Sequence, residues 1–219
     1  MPLTSKSAKL TITEIYASIQ GESSYAGYPC AFIRLTGCPL RCKWCDTAYG
    51  FEGGEDLEMG EILAKVRALN VNLVELTGGE PLAQPGCTNL MNLLVDEGYK
   101  VLIETGGSEP IDEVSEKAHI IMDVKCPDSK MSDRNRLDNL SKLKPTDELK
   151  FVIASKNDFI WARDFIKTHD LNEKNTLFSP AFGLVDPKDL CDWIMKENLE
   201  VRLNLQLHKY IWSPRAKGV

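Results

Sequence analysis

The chain has no apolar run long enough to span a bilayer, no internal repeat and no low-complexity tract. A membrane helix needs about 20 consecutive apolar residues, so a membrane protein is not expected. Its start, MPLTSKSAKLTITEIY, contains no apolar stretch of the kind that leads a secretory signal, so a cytoplasmic setting is expected. A basic surplus is missing too: 26 Lys and Arg stand against 32 Asp and Glu, for a net charge of −6. Nucleic-acid binding draws on clustered cations, so this balance argues against a nucleic-acid partner. Nor is there an even cysteine set: the cysteines number seven, and three of them crowd into residues 38–45. In a reducing compartment, such crowding reads as metal binding or catalysis instead of a disulfide frame.

What remains is an ordinary globular composition of 219 residues, 43% hydrophobic and 26% charged, without a break that would divide it. A single domain over 1–219 is expected. Short apolar runs at 30–36, 71–77, 99–104, 119–124, 148–153, 175–179 and 201–206 read as strands, buried on both faces as in parallel sheets. Helical patterns lie between them at 57–69, 88–97, 133–143, 156–169 and 186–197. Thr88 is the expected N-cap of the second, and Asp186-Pro187 opens the last as cap and first residue. This α/β alternation fits either an open doubly wound sheet or a partial barrel. Both gather their loops at the carboxyl ends of the strands. There the sequence places Gly37–Thr47, Thr77-Gly78-Gly79-Glu80-Pro81, Glu104-Thr105-Gly106-Gly107 and Lys125-Cys126-Pro127.

The first of these loops reads GCPLRCKWCDT, a Cys-x3-Cys-x2-Cys spacing of Cys38, Cys42 and Cys45. Three thiolates on one tight loop can each ligate a different iron of a cubane cluster, leaving the fourth iron open for a ligand. A zinc site completed by a distant Cys30 or His is the alternative. Trp44 either shields the cluster or packs on the loop. Cys30, Cys87, Cys126 and Cys191 read as small apolar residues, and His119 and His169 as structural or exposed.

With the Gly-Gly-Glu-Pro run following one βα unit later, the cysteine loop resembles the signature of the radical S-adenosylmethionine (SAM) superfamily. That resemblance implies a compact partial (β/α)6 barrel with parallel strands. It also implies a 4Fe-4S cluster on Cys38, Cys42 and Cys45, and SAM held by Trp44, Asp46, Gly79, Glu80, Lys125, Cys126, Pro127 and Gln206. Residues 15–36, IYASIQGESSYAGYPCAFIRLT, and the end of the chain, LNLQLHKYIWSPRAKGV, are similar to the 7-carboxy-7-deazaguanine synthase family. The implied reaction is a radical ring contraction of 6-carboxy-5,6,7,8-tetrahydropterin with loss of ammonia, in queuosine and other 7-deazapurine (preQ0) biosynthesis, with SAM regenerated.

A loop over 15–29 is then expected to receive the pterin through Ile19, Gln20, Gly21 and Glu22, beside a cluster loop over 37–50. Arg34 would clamp the substrate carboxylate, and Thr77 and His208 would touch substrate. His208 would also serve as the catalytic proton carrier. Thr47 would offer its hydroxyl to Mg2+. A homodimer and an electron donor such as flavodoxin or ferredoxin are implied as partners. Ser23 departs from the glycine common after the family's Gln-Gly-Glu. The tail also runs on past His208, and the stretch 48–57 is too short and Gly-rich for a full helix. The rival readings are a glycyl-radical-enzyme activase and a non-catalytic metal-binding protein.

Overall fold

The structure is a computed structural model and describes residues 9–219. The beginning of the expected domain and the expected absence of a leader fall partly on residues 1–8, outside the described residues. In chain order the elements are β1 (Lys9–Ile19), β2 (Pro29–Leu35), β3 (Glu55–Glu58), α1 (Met59–Leu69), β4 (Leu73–Gly78), α2 (Cys87–Asp96) and β5 (Lys100–Thr105). There follow β6 (His119–Asp123), β7 (Glu148–Ile153), α3 (Lys156–Thr168), β8 (Asn175–Pro180), α4 (Pro187–Glu197), β9 (Arg202–Leu203) and the single turn α5 (His208–Ile211).

Among the described residues, all nine strands join one sheet in the order β3-β1-β2-β4-β5-β6-β7-β8-β9. From β2 through β4 to β9 each neighbouring pair is parallel. A doubly wound sheet has a point where strand order reverses. Here the parallel strands follow one another without reversal, and β2, β4, β5, β6, β7 and β8 all line one cavity. The sheet is therefore a partial barrel, which resolves the choice left open by periodicity.

The period-2 alternation of strand side chains divides the barrel wall in two. Outward residues such as Ile33, Leu76, Ile103, Ile120 and Phe151 pack with α1, α2, α3 and α4 into the main core. At about 1.5–3 kcal/mol for each large apolar side chain buried, this layer supplies most of the stabilisation. Inward residues near the amino ends, Cys30, Phe32, Leu73, Leu102 and Ile121, form a second, smaller apolar plug. Tyr16 and Tyr25 cover it. Beyond the plug, toward the carboxyl ends, the inner face turns polar.

Several expectations are corrected. The apolar runs are not apolar on both faces, since Glu75, Glu104, Asp123 and Lys150 occupy inward strand positions. Two strand pairs are antiparallel, β1 with β2 and β1 with β3. Residues 15–19, expected in a loop, form the end of β1, because Ile15 and Ile19 pair with Ile33 and Pro29; the loop proper is 20–28. Leu57 reaches the core from β3 instead of from α1. Helix α2 starts at Cys87 behind Gly86, so Thr88 is not its cap. The stretch 133–143 forms 3-10 turns, not an α-helix. With Pro127 and Pro145 bracketing a segment rich in Asp, Asn and Ser, local side-chain bonding competes with helix there. Only Arg202 and Leu203 of 201–206 pair as strand.

Other local readings hold. Asp186 caps α4, accepting from the Lys188 amide at 2.8 Å, and Pro187 sits at its first position. After the cluster loop there is only one 3-10 turn, Ala48–Gly50.

Candidate active site

The carboxyl ends of the parallel strands surround a cavity of about 730 Å³. Every site residue expected from the sequence lines it except Glu80 and Pro127.

On one wall lie Cys38, Cys42 and Cys45, each half-buried with its thiol on the cavity. The loop that carries them is tied down at several points. The Lys43 amide donates to the Ser129 carbonyl at 3.1 Å, and the Arg41 guanidinium donates to the carbonyls of Cys38 at 2.6 Å and Leu40 at 2.7 Å. The same guanidinium lies 4.3 Å over the Phe51 ring. The Leu40 amide donates to the Cys38 sulfur at 3.4 Å, the type of bond that tunes cluster thiolates. Among the described residues, no three His, Cys, Asp or Glu side chains converge to hold a single metal ion. The three thiols instead share a wall, which suits a cubane whose irons are ligated separately. Burial pushes the Cys38 and Cys42 thiols up, so an unliganded loop keeps them protonated. Cys30 sits in the inner plug, away from this loop.

Beside this wall stands the Gly78-Gly79-Glu80 loop. The Glu80 amide donates to the Gly37 carbonyl at 2.8 Å, and the Gly79 amide to the Leu35 carbonyl at 3.1 Å. A Cβ on Gly79 would come within 2.0 Å of the Gly37 carbonyl oxygen, and one on Gly78 within 2.2 Å of that of Leu35. The paired glycines are thus required by the approach of two protein loops. The expected place of Glu80 at the ligand is not what its side chain shows. It is fully buried and accepts from the Thr105 hydroxyl at 2.8 Å, the Gly106 amide at 2.6 Å and the Leu82 amide at 3.1 Å. It joins the loop after β4 to the loop after β5. Burial pushes its carboxyl up to about 7 in spite of these three donors.

The floor is a charge cluster that the sequence reading largely missed. Lys150 places its ammonium 3.0 Å from Glu22, 3.5 Å from Asp123 and in contact with Glu104. Glu75, 2% exposed, accepts from the Gln20 amide. Asp123 also receives Lys125 at 2.6 Å, and Glu104 receives the Thr77 hydroxyl at 3.4 Å. Burial pushes the carboxyls of Glu75 and Glu104 up. It acts the same way on Asp123, where Lys125 and Lys150 outweigh it and keep that carboxyl ionised. The signal available in the sequence was a charged residue inside an apolar run: Glu75 before Thr77, or Lys150 within ELKFVI.

Arg34 directs its Nε to Glu14 at 2.7 Å and one terminal nitrogen to the Tyr16 hydroxyl at 3.3 Å, with Tyr49 alongside. It therefore enters the cavity as a cation already braced by a carboxylate. Thr47 sits with its hydroxyl 3.6 Å from the Cys45 sulfur.

The chain end closes the remaining side. Gln206 donates to Glu22 at 2.9 Å and reaches Asp46 at 3.4 Å, and Lys209 donates to Asp46 at 2.6 Å. The Leu207 amide donates to the Gly21 carbonyl at 2.9 Å. A Cβ on Gly21 would strike His208 Nδ1 at 2.3 Å, so that glycine makes room for the imidazole. Burial lowers the pKa of His208, favouring the neutral ring. Residues 214–219 wall the mouth, with the Lys217 ammonium 4.0 Å over Tyr49. His119 lies outside the cavity, edge-on to Tyr25 and 3.5 Å from Glu148, as a structural residue.

The chain is similar to known proteins. The radical SAM superfamily model matches residues 32–146. A 7-carboxy-7-deazaguanine synthase of Koribacter versatilis is 49% identical, over 96% of this chain and all of that protein. One from Chlorobaculum tepidum is 45% identical, over 98% of this chain and all of that protein. Among solved structures, QueE from Escherichia coli superposes with a TM-score of 0.76 at 23% identity, covering 91% of this chain and 95% of that one. Streptococcus suis SuiB bound to S-adenosylmethionine shares the fold at a TM-score of 0.52 and 16% identity, covering 77% of this chain and 44% of that one. A wall of three thiols facing an acid-lined floor in a singly wound partial barrel, together with near-complete alignment to these relatives, means that the chain belongs to the radical SAM superfamily and, within it, to the 7-carboxy-7-deazaguanine synthase family.

Proposed function

We propose that this chain contracts 6-carboxy-5,6,7,8-tetrahydropterin to 7-carboxy-7-deazaguanine with loss of ammonia, a step of queuosine and other 7-deazapurine biosynthesis. One observation carries this: a single cavity has cluster-type thiols on one wall, a braced arginine beside them and a surplus of carboxylates as its floor. A pterin has the matching polarity, with a carboxylate at one end and an amino-pyrimidinone edge of N–H donors at the other. Cys38, Cys42 and Cys45 are the residues to hold a 4Fe-4S cluster, with SAM bound next to it. When bound, these two groups supply the electron and the adenosyl radical that start the reaction.

The chain's own residues do the rest. Arg34 receives the substrate carboxylate, and its bracing by Glu14 fixes the direction of the fork. Glu22, Glu75 and Glu104 receive the donor edge. Trp44, Asp46, Gly79, Lys125, Cys126 and Gln206 border the SAM side. The Thr47 hydroxyl faces the same space and, with the substrate carboxylate, supplies oxygen ligands of the sort Mg2+ prefers. His208, neutral and next to Gly21, can shuttle a proton during ammonia loss, taking up the proton that the ring gives up and handing it to the departing amine. The tail at the mouth excludes water from a reactive intermediate.

A homodimer, a flavodoxin- or ferredoxin-type electron donor and a cytoplasmic setting complete the reading. Among the described residues, no helix is long and apolar enough to cross a membrane. The test is anaerobic reconstitution followed by incubation with SAM, reductant, Mg2+ and the carboxytetrahydropterin. The expected result is a deazaguanine product, ammonia and little net loss of SAM. SAM cleavage with no deazaguanine would favour an activase.

A further inference from the structure

The floor of the cavity contains one group that the proposed reaction does not call for. Lys150, on β7, is 5% exposed at its side chain, yet it contacts carboxylates from three other parts of the chain. These are Glu22 on the loop after β1, Glu104 at the end of β5 and Asp123 at the end of β6. With Glu75, the floor holds four carboxyls against the two cations Lys150 and Lys125. Four carboxyls carry eight acceptor oxygens, whereas two ammoniums carry six donor hydrogens, so the two cations alone do not fill such a network. This one leaves acceptor capacity in excess, and all of it lines the cavity. Carboxylates accept at two oxygens, and Lys150 occupies one oxygen each of Glu22 and Glu104. The second oxygens are held only by the neutral donors Gln206 and Thr77.

We propose that Lys150 is a positioning residue for the substrate: it clamps Glu22 and Glu104 at a fixed separation, so that their other oxygens meet the N–H donors of a flat, guanidine-like ring edge. The inference rests on the pterin reading above and deepens it. Lys150 itself does not meet the ring. It acts by holding two acceptors from distant segments, 22 and 104, in one plane-facing pair. Gln206 and Thr77 then serve as placeholders on the oxygens that the ligand takes over. Without the clamp, two carboxylates sharing a low-dielectric floor repel one another and swing apart or take up a proton. Either change removes a receiving oxygen.

The experiment uses anaerobically reconstituted enzyme with SAM, and 6-carboxy-5,6,7,8-tetrahydropterin as the titrant. Calorimetric affinity, KM and kcat are measured for the parent, for K150M and for the charge-balanced pair D123N/K150M. In the pair, the amide oxygen at position 123 can still accept from Lys125. K150M is expected to melt more than about 5 °C lower. The pair is expected to regain most of that loss. Both are expected to bind the pterin about 10- to 100-fold more weakly, with a matching rise in KM. Recovery of parental pterin affinity in D123N/K150M would show that Lys150 only balances charge and would overturn the proposal, as would undiminished affinity in K150M. If K150M does not fold, the pair alone decides. A parent enzyme that cleaves SAM but neither binds nor converts the pterin would instead overturn the function on which the inference rests.

Discussion

The two faces of the barrel wall are built from the same strands by alternate residues, and they obey opposite rules. In β4, Val74 and Leu76 point outward into the main core, whereas Glu75 and Thr77 point inward to the cavity. In β7, Leu149 and Phe151 face out, and Lys150 faces in. The outer face gains stability by burying apolar area. The inner face gives some of it up by keeping like charges close together where water is scarce. Stability and function are thus separated by a single residue of register, and substitutions at adjacent positions should act on different properties.

Four measurements test that separation, in descending order of effect. Replacing a cluster thiol, as in Cys42→Ser, should abolish pterin turnover and reduce iron to well below four per chain, while far-ultraviolet circular dichroism stays that of the parent. A collapse of the fold would show that the inner wall also carries stability. On the outer face, Phe151→Ala removes a ring packed on Phe165 and Phe178 and should lower the unfolding free energy by about 3–5 kcal/mol. KM for the pterin in the folded fraction should hold.

Glu80 belongs to neither face and should show a pH signature. Its folded pKa, up to about 7, lies above the value of an unfolded glutamate. The folded state therefore binds the proton more tightly, and this contribution is complete below the unfolded pKa. It is lost as pH rises through about 7, amounting to ~3 kcal/mol at most. Urea midpoints across that range should fall for the parent more steeply than for Glu80→Gln; parallel curves would sink the assignment. The smallest effect is on the floor. Glu104→Gln should weaken pterin binding about tenfold, yet leave the melting temperature equal or higher, because it removes one surplus acid. A lower melting temperature would mean that the floor is an ordinary ion-pair network.

The cysteine loop, the parallel strands and the gathering of loops at one rim were legible because each is a local pattern: a spacing, an apolar run, a glycine pair. The missed features depend on contacts between distant segments. β1 is a strand because Ile15 and Ile19 find Ile33 and Pro29 across a hairpin, and within 15–29 it resembled a loop. The stretch 133–143 has helical spacing but is held in turns, such as that of Arg136, whose amide donates to the Gly107 carbonyl. Nothing local marks Lys150 within the run 148–153, since its partners lie at positions 22, 104 and 123. Glu80 was expected to meet a cofactor, and its bonds to Thr105 and Gly106 could not be anticipated from GGEP alone.

The positions of those partners along the chain bear on how the molecule is made. Synthesis proceeds from the amino end, so the acids at 22, 75, 104 and 123 leave the ribosome before the ammonium at 150 that they surround. Until that strand docks, closing the floor would seal off negative charge with no counterion from β7, and the nascent acids stay hydrated. The catalytic chamber therefore cannot be completed before residue 150 has been made, because until then its floor lacks the cation that joins Glu22, Glu104 and Asp123.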